Sequence, residues 1–221
     1  MSHPSKIDPS AGPRASAYAF YRAAKQPRWG FTTRVDVGPL LQAVKAWRAE
    51  QPGLTPLLAY HHALLKAALA VPALRQRLRP EGEAVEWPAV DASITLARAD
   101  DSFAIAYLPW APALRDFVAP ARAAIELARV PGTDWGIGKD HGGCLYTTTL
   151  PWLDFTHFEH AHTAAFDEAT PRIAFGRFVP KGAKVEMALN LEIHHALVDG
   201  LHAGRFVQAF EALLAAPQQL W

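Results

Sequence analysis

A single cysteine in 221 residues, Cys144, rules out an intramolecular disulfide framework. Stability therefore rests on packing and hydrogen bonds, and the lone thiol suits a reducing compartment. No apolar run reaches the roughly 18 residues that a membrane span requires. The opening, MSHPSKIDPSAGPR, has none of the apolar core that marks a secretory signal. Charge of one sign is also missing: 22 Lys and Arg face 21 Asp and Glu. Nothing in the overall balance calls for nucleic acid or an anionic membrane, although net charge does not see local basic pockets. No internal repeat or long linker divides the chain. These absences predict one domain over residues 1–221, a cytoplasmic location, and a polar arm over 1–13 that is mobile until something docks it.

Half of the residues are hydrophobic, and 18 are proline. The periodicities predict a short helix over Ser16–Ala24, a strand over Gly30–Val37 and a helix over Leu40–Glu50. Thr55-Pro56 is an N-cap with proline at the first helical position, opening a long helix to about Ala70. Pro72 starts another short helix. Strand-like stretches fill Val85–Tyr107, broken near Asp100-Asp101. Pro112–Val130 is helical, with Pro120 as a kink or boundary. Strands are expected at Cys144–Thr149, Phe155–His162, Ile173–Phe178 and Val185–His194, and a final helix at Leu201–Ala215. Helices early, strands late and one closing helix describe an α+β layer packing.

The most distinctive chemistry lies in LNLEIHHALVDGLHAGRF, residues 189–206. Neighbouring strand residues point to opposite faces, so His194 and His195 cannot both face one cavity. One is expected to be structural and the other chemical, while Asp199-Gly200 turns the chain into the last helix. On composition alone, a His-His pair reads as two hydrogen-bonded imidazoles beside an ordinary turn. Metal ligation is weaker still, though His141, His157, His160, His162 and His202 offer further ligands.

The combination of segments resembles the chloramphenicol acetyltransferase family over nearly the whole chain. IHHALVDGLHAGRF is similar to its His-His-x-x-x-Asp-Gly signature and following helix. LPWLDFTHF (150–158) is similar to its Pro-Trp segment, and AFYR with WGFTTRVDV (19–37) to its first helix and strand. VEWPAVD and DDSFAIAYLPW fall between them in the expected order. His-x-x-x-Asp-Gly is also shared with the acyltransferase cores of 2-oxoacid dehydrogenase complexes and with peptide-synthetase condensation domains. The latter are about twice this length, and no lipoyl segment is present here.

The resemblance implies an α+β fold, a two-layer mixed β-sheet packed with helices, assembled as a homotrimer with an active site at each subunit interface. It implies acetyl-CoA as cosubstrate, no metal, and O-acetylation of chloramphenicol or a similar small aromatic alcohol. By motif position His195 is the catalytic base and His194 the structural neighbour. Thr148 stands where the family carries the serine that donates to the carbonyl oxygen, and its extra methyl stiffens χ1. The resemblance pairs Asp199 with Arg14 as support for the site. It assigns Tyr21, Trp29, Phe31, Phe103, Phe158, His160 and His162 to the acceptor pocket, and Arg177 and Phe178 to CoA. Trp29 replaces a small residue, His160 and His162 replace aliphatic ones, Ala174 replaces a hydroxyl residue, and Gly12 replaces a tryptophan. Two alternatives stay open: transfer to a different alcohol or amine, and a non-catalytic trimeric protein that binds a small aromatic ligand.

Overall fold

The computed structural model describes residues 3–132, 134, 136, 141–161 and 169–221. Strand β9 (Lys184–His194) lies inside a six-stranded mixed sheet and sets its two faces. Met187, Leu189, Leu191 and Ile193 are fully buried on one side. Ala188, Asn190, Glu192 and His194 alternate with them onto the other. β2 (Arg28–Asp36) pairs antiparallel with β9 along the edge. On the other flank come β8 (Arg172–Lys181), β7 (Cys144–Thr149), β5 (Asp91–Ala97) and β6 (Phe103–Leu108). The β8–β7 and β7–β5 pairs are parallel, and the others antiparallel.

Helices cover the apolar face. α2 (Gly38–Trp47), α3 (Pro56–Leu69), α4 (Leu114–Arg129) and α5 (Gly200–Ala215) contribute to one core with the inward residues of the sheet. α3 starts as its sequence demands, with the Thr55 hydroxyl accepting from the Leu58 N–H at 3.3 Å and Pro56 behind it. α1 (Ala15–Arg22) adds Tyr18 to this core and packs Tyr21 against it.

Three expectations are corrected. Residues 5–7 of the supposed arm form β1 (Ser5–Ile7), which joins β4 (Ala84–Glu86) and β3 (Gln76–Leu78) in a small sheet. Its docking partner lies some eighty residues away, beyond the reach of local pattern. Of the two roles expected of Pro120, kink or boundary, the boundary is excluded, because it sits inside α4. Leu114, Phe117, Val118 and Ala121 form the buried stripe, while Pro120 faces solvent, where water can meet the carbonyl its missing N–H leaves. Finally, the stretch read as a strand over 155–162 is irregular throughout 151–161, and His162 lies outside the described residues.

That irregular segment is held by side chains instead of a ladder. Arg34 bonds Asp154 and the Phe155 carbonyl, and Asn190 Nδ2 donates to the Phe158 carbonyl at 3.0 Å. Gly176 permits the close approach: a Cβ there would stand 3.0 Å from the Leu153 carbonyl oxygen and 3.3 Å from the Phe155 ring.

Two buried histidines on α3 make the fold sensitive to acid. His61 Nδ1 donates to the Leu57 carbonyl at 2.8 Å, and its Nε2 meets the Thr147 hydroxyl at 2.9 Å. His62 stacks on Trp110 and bonds the Ala111 carbonyl at 2.9 Å. Burial pushes both imidazoles down to about 4 from the ordinary 6.5. The unfolded chain therefore takes up these protons first. The contribution is complete above about pH 6.5 and is lost as pH falls towards 4, on the order of 3 kcal/mol for His61. Urea unfolding at pH 7, 5.5 and 4.5 should show stability falling already at 5.5, before most carboxylates titrate. A flat profile down to pH 5 would contradict neutral burial.

Candidate active site

β9 ends at His194, and residues 195–198 turn back towards α5. Turns leave carbonyls without ladder partners, and here four successive ones are met by two side chains. Arg14 Nη2 donates to the His195 carbonyl at 3.0 Å, and Nη1 to those of Ala196 and Leu197 at 2.9 and 3.0 Å. Trp29 Nε1 takes the Val198 carbonyl at 3.1 Å. Arg14 Nε completes the fork on Asp199 Oδ2 at 2.9 Å. Asp199 also caps α5, accepting from the N–H groups of Leu201 and His202. Partial burial works against its charged form, but His202 and the Arg14 hydrogen bond outweigh burial and hold the carboxyl below its ordinary range.

His194 is buried, its Nδ1 accepting from the Ala196 N–H at 3.2 Å. His195 is anchored by its backbone N–H on the Pro27 carbonyl at 2.8 Å. Its ring stacks on Tyr21 with centroids 3.8 Å apart and planes within 3°, and Trp29 lies 5.4 Å away. Tyr21 and Arg14 are seven residues apart, two helical turns, so one face of α1 both clamps the turn and supports the ring. His195 Nδ1 is buried without a hydrogen-bond partner.

The remaining residues expected to line an acceptor pocket divide between the two faces of the sheet. Trp29 and Phe31 pair with Ile193 and Leu191, so they belong to the helix-covered side. Thr148 pairs with Ala174, which pairs with Asn190, so these stand on the opposite side. Phe103 lies there too, 43% exposed. Thr148 Oγ1 is 3.5 Å from that of Thr95. Phe158 and His160 reach the same side through the irregular segment, their rings edge-on at 4.8 Å. Two strand spacings and five residues of register separate Thr148 from His195, on the order of 20 Å. One chain does not bring them to a common atom.

Arg177 is exposed, while Phe178 turns inward and meets Tyr60 edge-on at 6.4 Å, so the core already engages that ring. A cavity of about 370 Å³ lies behind the clamp, lined by Gly12, Arg14, Leu197, His202 and Arg205 among others. His195, Tyr21 and Thr148 are absent from its wall. The histidines weighed as metal ligands are dispersed: His141 is paired with Asp91, His160 with Glu192 and His202 with Asp199. No group of three or more His, Cys, Asp or Glu suited to a metal occurs among the described residues.

A sequence profile described as chloramphenicol acetyltransferase matches residues 3–211. The chain belongs to the chloramphenicol acetyltransferase family. It is accordingly an acyltransferase. Among similar proteins are the chloramphenicol acetyltransferase of Streptomyces acrimycini, 27% identical over 98% of this chain and 97% of that one, and chloramphenicol acetyltransferase 2 of Escherichia coli, 24% identical over 94% and 95%. A solved chloramphenicol acetyltransferase superposes with a TM-score of 0.84 at 23% identity, covering 96% of this chain and all of that one. The cubic core of a pyruvate dehydrogenase multienzyme complex follows at 0.72 and 18%, over 93% and 88%. These likenesses establish the fold. Among the described residues no helix is long and apolar enough to cross a membrane.

Against this family background, two features escaped sequence reasoning. Trp29 reads as pocket lining, yet its indole N–H also closes the turn. Glu192 reads only as a polar position on an alternating strand, but its Oε1 accepts from both the backbone N–H and Nδ1 of His160 at 2.7 Å. Nothing local links positions 160 and 192. The clamp gives a direct test. Lysine at position 14 keeps the charge but cannot fork across three carbonyls and a carboxylate. Arg14→Lys should lower the unfolding free energy by about 1–2 kcal/mol, discounted for partial exposure, in urea denaturation at neutral pH.

Proposed function

We propose that this protein is an acetyl-CoA-dependent O-acetyltransferase, with chloramphenicol or a similar small aromatic alcohol as acceptor and His195 as general base. The observation that carries the reading is the rigid presentation of His195, stacked on Tyr21 at the end of a turn whose carbonyls are all bonded. An alcohol is a poor nucleophile at neutral pH. A neutral imidazole whose Nε2 lone pair faces the hydroxyl takes its proton as the new C–O bond forms, worth roughly 10²–10⁴ in rate. That role needs the ring proton on Nδ1, the buried edge. The hydroxyl oxygen attacks the thioester carbonyl directly, and collapse of the tetrahedral adduct expels the CoA thiolate, which takes the proton back from His195. Binding both substrates together supplies proximity, with no acyl-enzyme.

Charge developing on the carbonyl oxygen needs a donor, and we assign Thr148 Oγ1. Since His195 and Thr148 stand on the order of 20 Å apart in one chain, the donor comes from a second copy. This favours a homotrimer with a site at each interface, Tyr21, Trp29 and Phe31 beside the base and Phe103, Phe158 and His160 from the neighbour. Exposed Phe20, Trp152, Leu153 and Leu201 supply apolar surface for such contacts. Arg177 suits a phosphate of CoA, and Phe178 a smaller part than free stacking on adenine would require.

Thiol release from acetyl-CoA in the presence of chloramphenicol tests the reading. His195→Ala should lower the rate by at least 10²-fold, and Thr148→Ala by about 10²-fold, with Thr148→Ser retaining most activity. Release on other alcohols but not on chloramphenicol would move the acceptor, and failure to bind acetyl-CoA would sink the enzyme reading. Co-expression of His195→Ala with Thr148→Ala chains distinguishes shared from single-chain sites. Random mixing rebuilds about a quarter of interfaces with both intact groups and restores that fraction of activity. Sites within one chain would stay dead.

A further inference from the structure

Thr148 points away from the helix-covered side of the sheet, so the core can hold it only through its neighbours on β7. Thr147 and Thr149 alternate onto the covered side, where two consecutive residues of α3 meet them. Tyr60 Oη lies 3.0 Å from Thr149 Oγ1, and His61 Nε2 lies 2.9 Å from Thr147 Oγ1. His61 is itself oriented: Nδ1 donates to the Leu57 carbonyl at 2.8 Å, which leaves Nε2 of the neutral ring to accept from the Thr147 hydroxyl. Both α3 side chains are buried, and burial pushes the Tyr60 phenol up, so it keeps its proton at neutral pH.

These bonds stand where the backbone holds the strand least. The pairing of β7 with β5 covers Cys144 to Thr147 and goes no further, whereas that with β8 continues to Thr149. Beyond Thr149 the chain enters the irregular segment 151–161. Thr148 therefore sits on the half of β7 that one ladder supports, between two side chains tied to α3. Being β-branched, it has little χ1 freedom with which to correct a tilted backbone. The twist of the strand thus decides where Oγ1 points. A donor to a developing oxyanion works at about 2.7–3.1 Å, and a displacement of about 1 Å can cost on the order of 10²-fold.

We propose that Tyr60 and His61 are positioning residues for acetyl transfer: they hold the hydroxyls of Thr149 and Thr147 and so set the angle at which β7 presents Thr148. The proposal rests on the donor role assigned to Thr148 and adds to it the residues that aim it. Both act through the strand rather than on the substrate. Apolar side chains of the same shape would fill the same space and keep α3 packed on the sheet, but they would leave the angle free.

The test follows thiol release from acetyl-CoA with chloramphenicol for Tyr60→Phe in two backgrounds. The substitution deletes one oxygen, and the half-buried Thr149 hydroxyl can turn to water. In the otherwise unaltered protein kcat should fall about five- to tenfold with both KM values within about twofold, because only the transition state carries the oxyanion. In a Thr148→Ala background the same substitution should change kcat by less than about twofold, since no hydroxyl is left to aim. Thr149→Val should reproduce this pattern, and Thr149→Ser, which keeps the hydroxyl, should retain most of kcat. A loss of equal size in both backgrounds would reduce the bond to a structural one and overturn the proposal, as would an unchanged kcat in Tyr60→Phe. Full activity in Thr148→Ala alone would remove the donor assignment and this proposal with it, while acetyl transfer by His195 would stand. No thiol release by the unaltered protein, with chloramphenicol or with other alcohols, would overturn the acetyl-transfer reading as well.

Discussion

The guanidinium of Arg14 is the contact on which the site's geometry depends. A turn between a buried strand and a helix gathers carbonyl oxygens in one place, and their dipoles repel unless a donor lies among them. A planar cation with five N–H groups serves three of them and a carboxylate at once. The same helix that begins at this arginine delivers Tyr21 to the face of His195 two turns later. The position of the imidazole is therefore fixed from two directions by one rigid element. The carboxylate of Asp199 holds the arginine and caps α5, tying the turn to the core.

Much of this was legible in the sequence, for reasons that differ by element. β9 declared itself by alternation, α3 by its Thr-Pro start, and α5 by the Asp-Gly at its start. Those signals are local, as are the forces behind them. Residues 155–161 alternate well enough to look like a strand, but their backbone groups are claimed by Arg34, Asn190 and Glu192. Such side-chain competitors lie far off in sequence and leave no local mark. The docking of β1 on β4 was hidden for the same reason.

Within the candidate site the division is similar. The His-His pair and the Asp-Gly turn drew attention to residues 194, 195 and 199, but the roles expected of them, like position 14 altogether, came from family resemblance. Thr148 would have passed as ordinary strand composition in a Thr-Thr-Thr run. The pairing of His160 with Glu192 could not be read at all, because it joins an irregular segment to a strand across thirty-two positions. Departures at 29 and 160 from the usual family residues are explained by contacts made here: an indole N–H that completes the turn, and an imidazole seated on a buried carboxylate.

β9 faces two environments at once, with Glu192 on one side and the run leading to His195 on the other. It acts as a party wall. A substitution in this strand that reshapes the surface beneath Phe158 also shifts the backbone that aims the imidazole. The irregular segment 151–161 lies on one side only and can vary without disturbing the ring. Inherited changes in what such an enzyme accepts should therefore accumulate in that segment, and the strand should stay nearly silent.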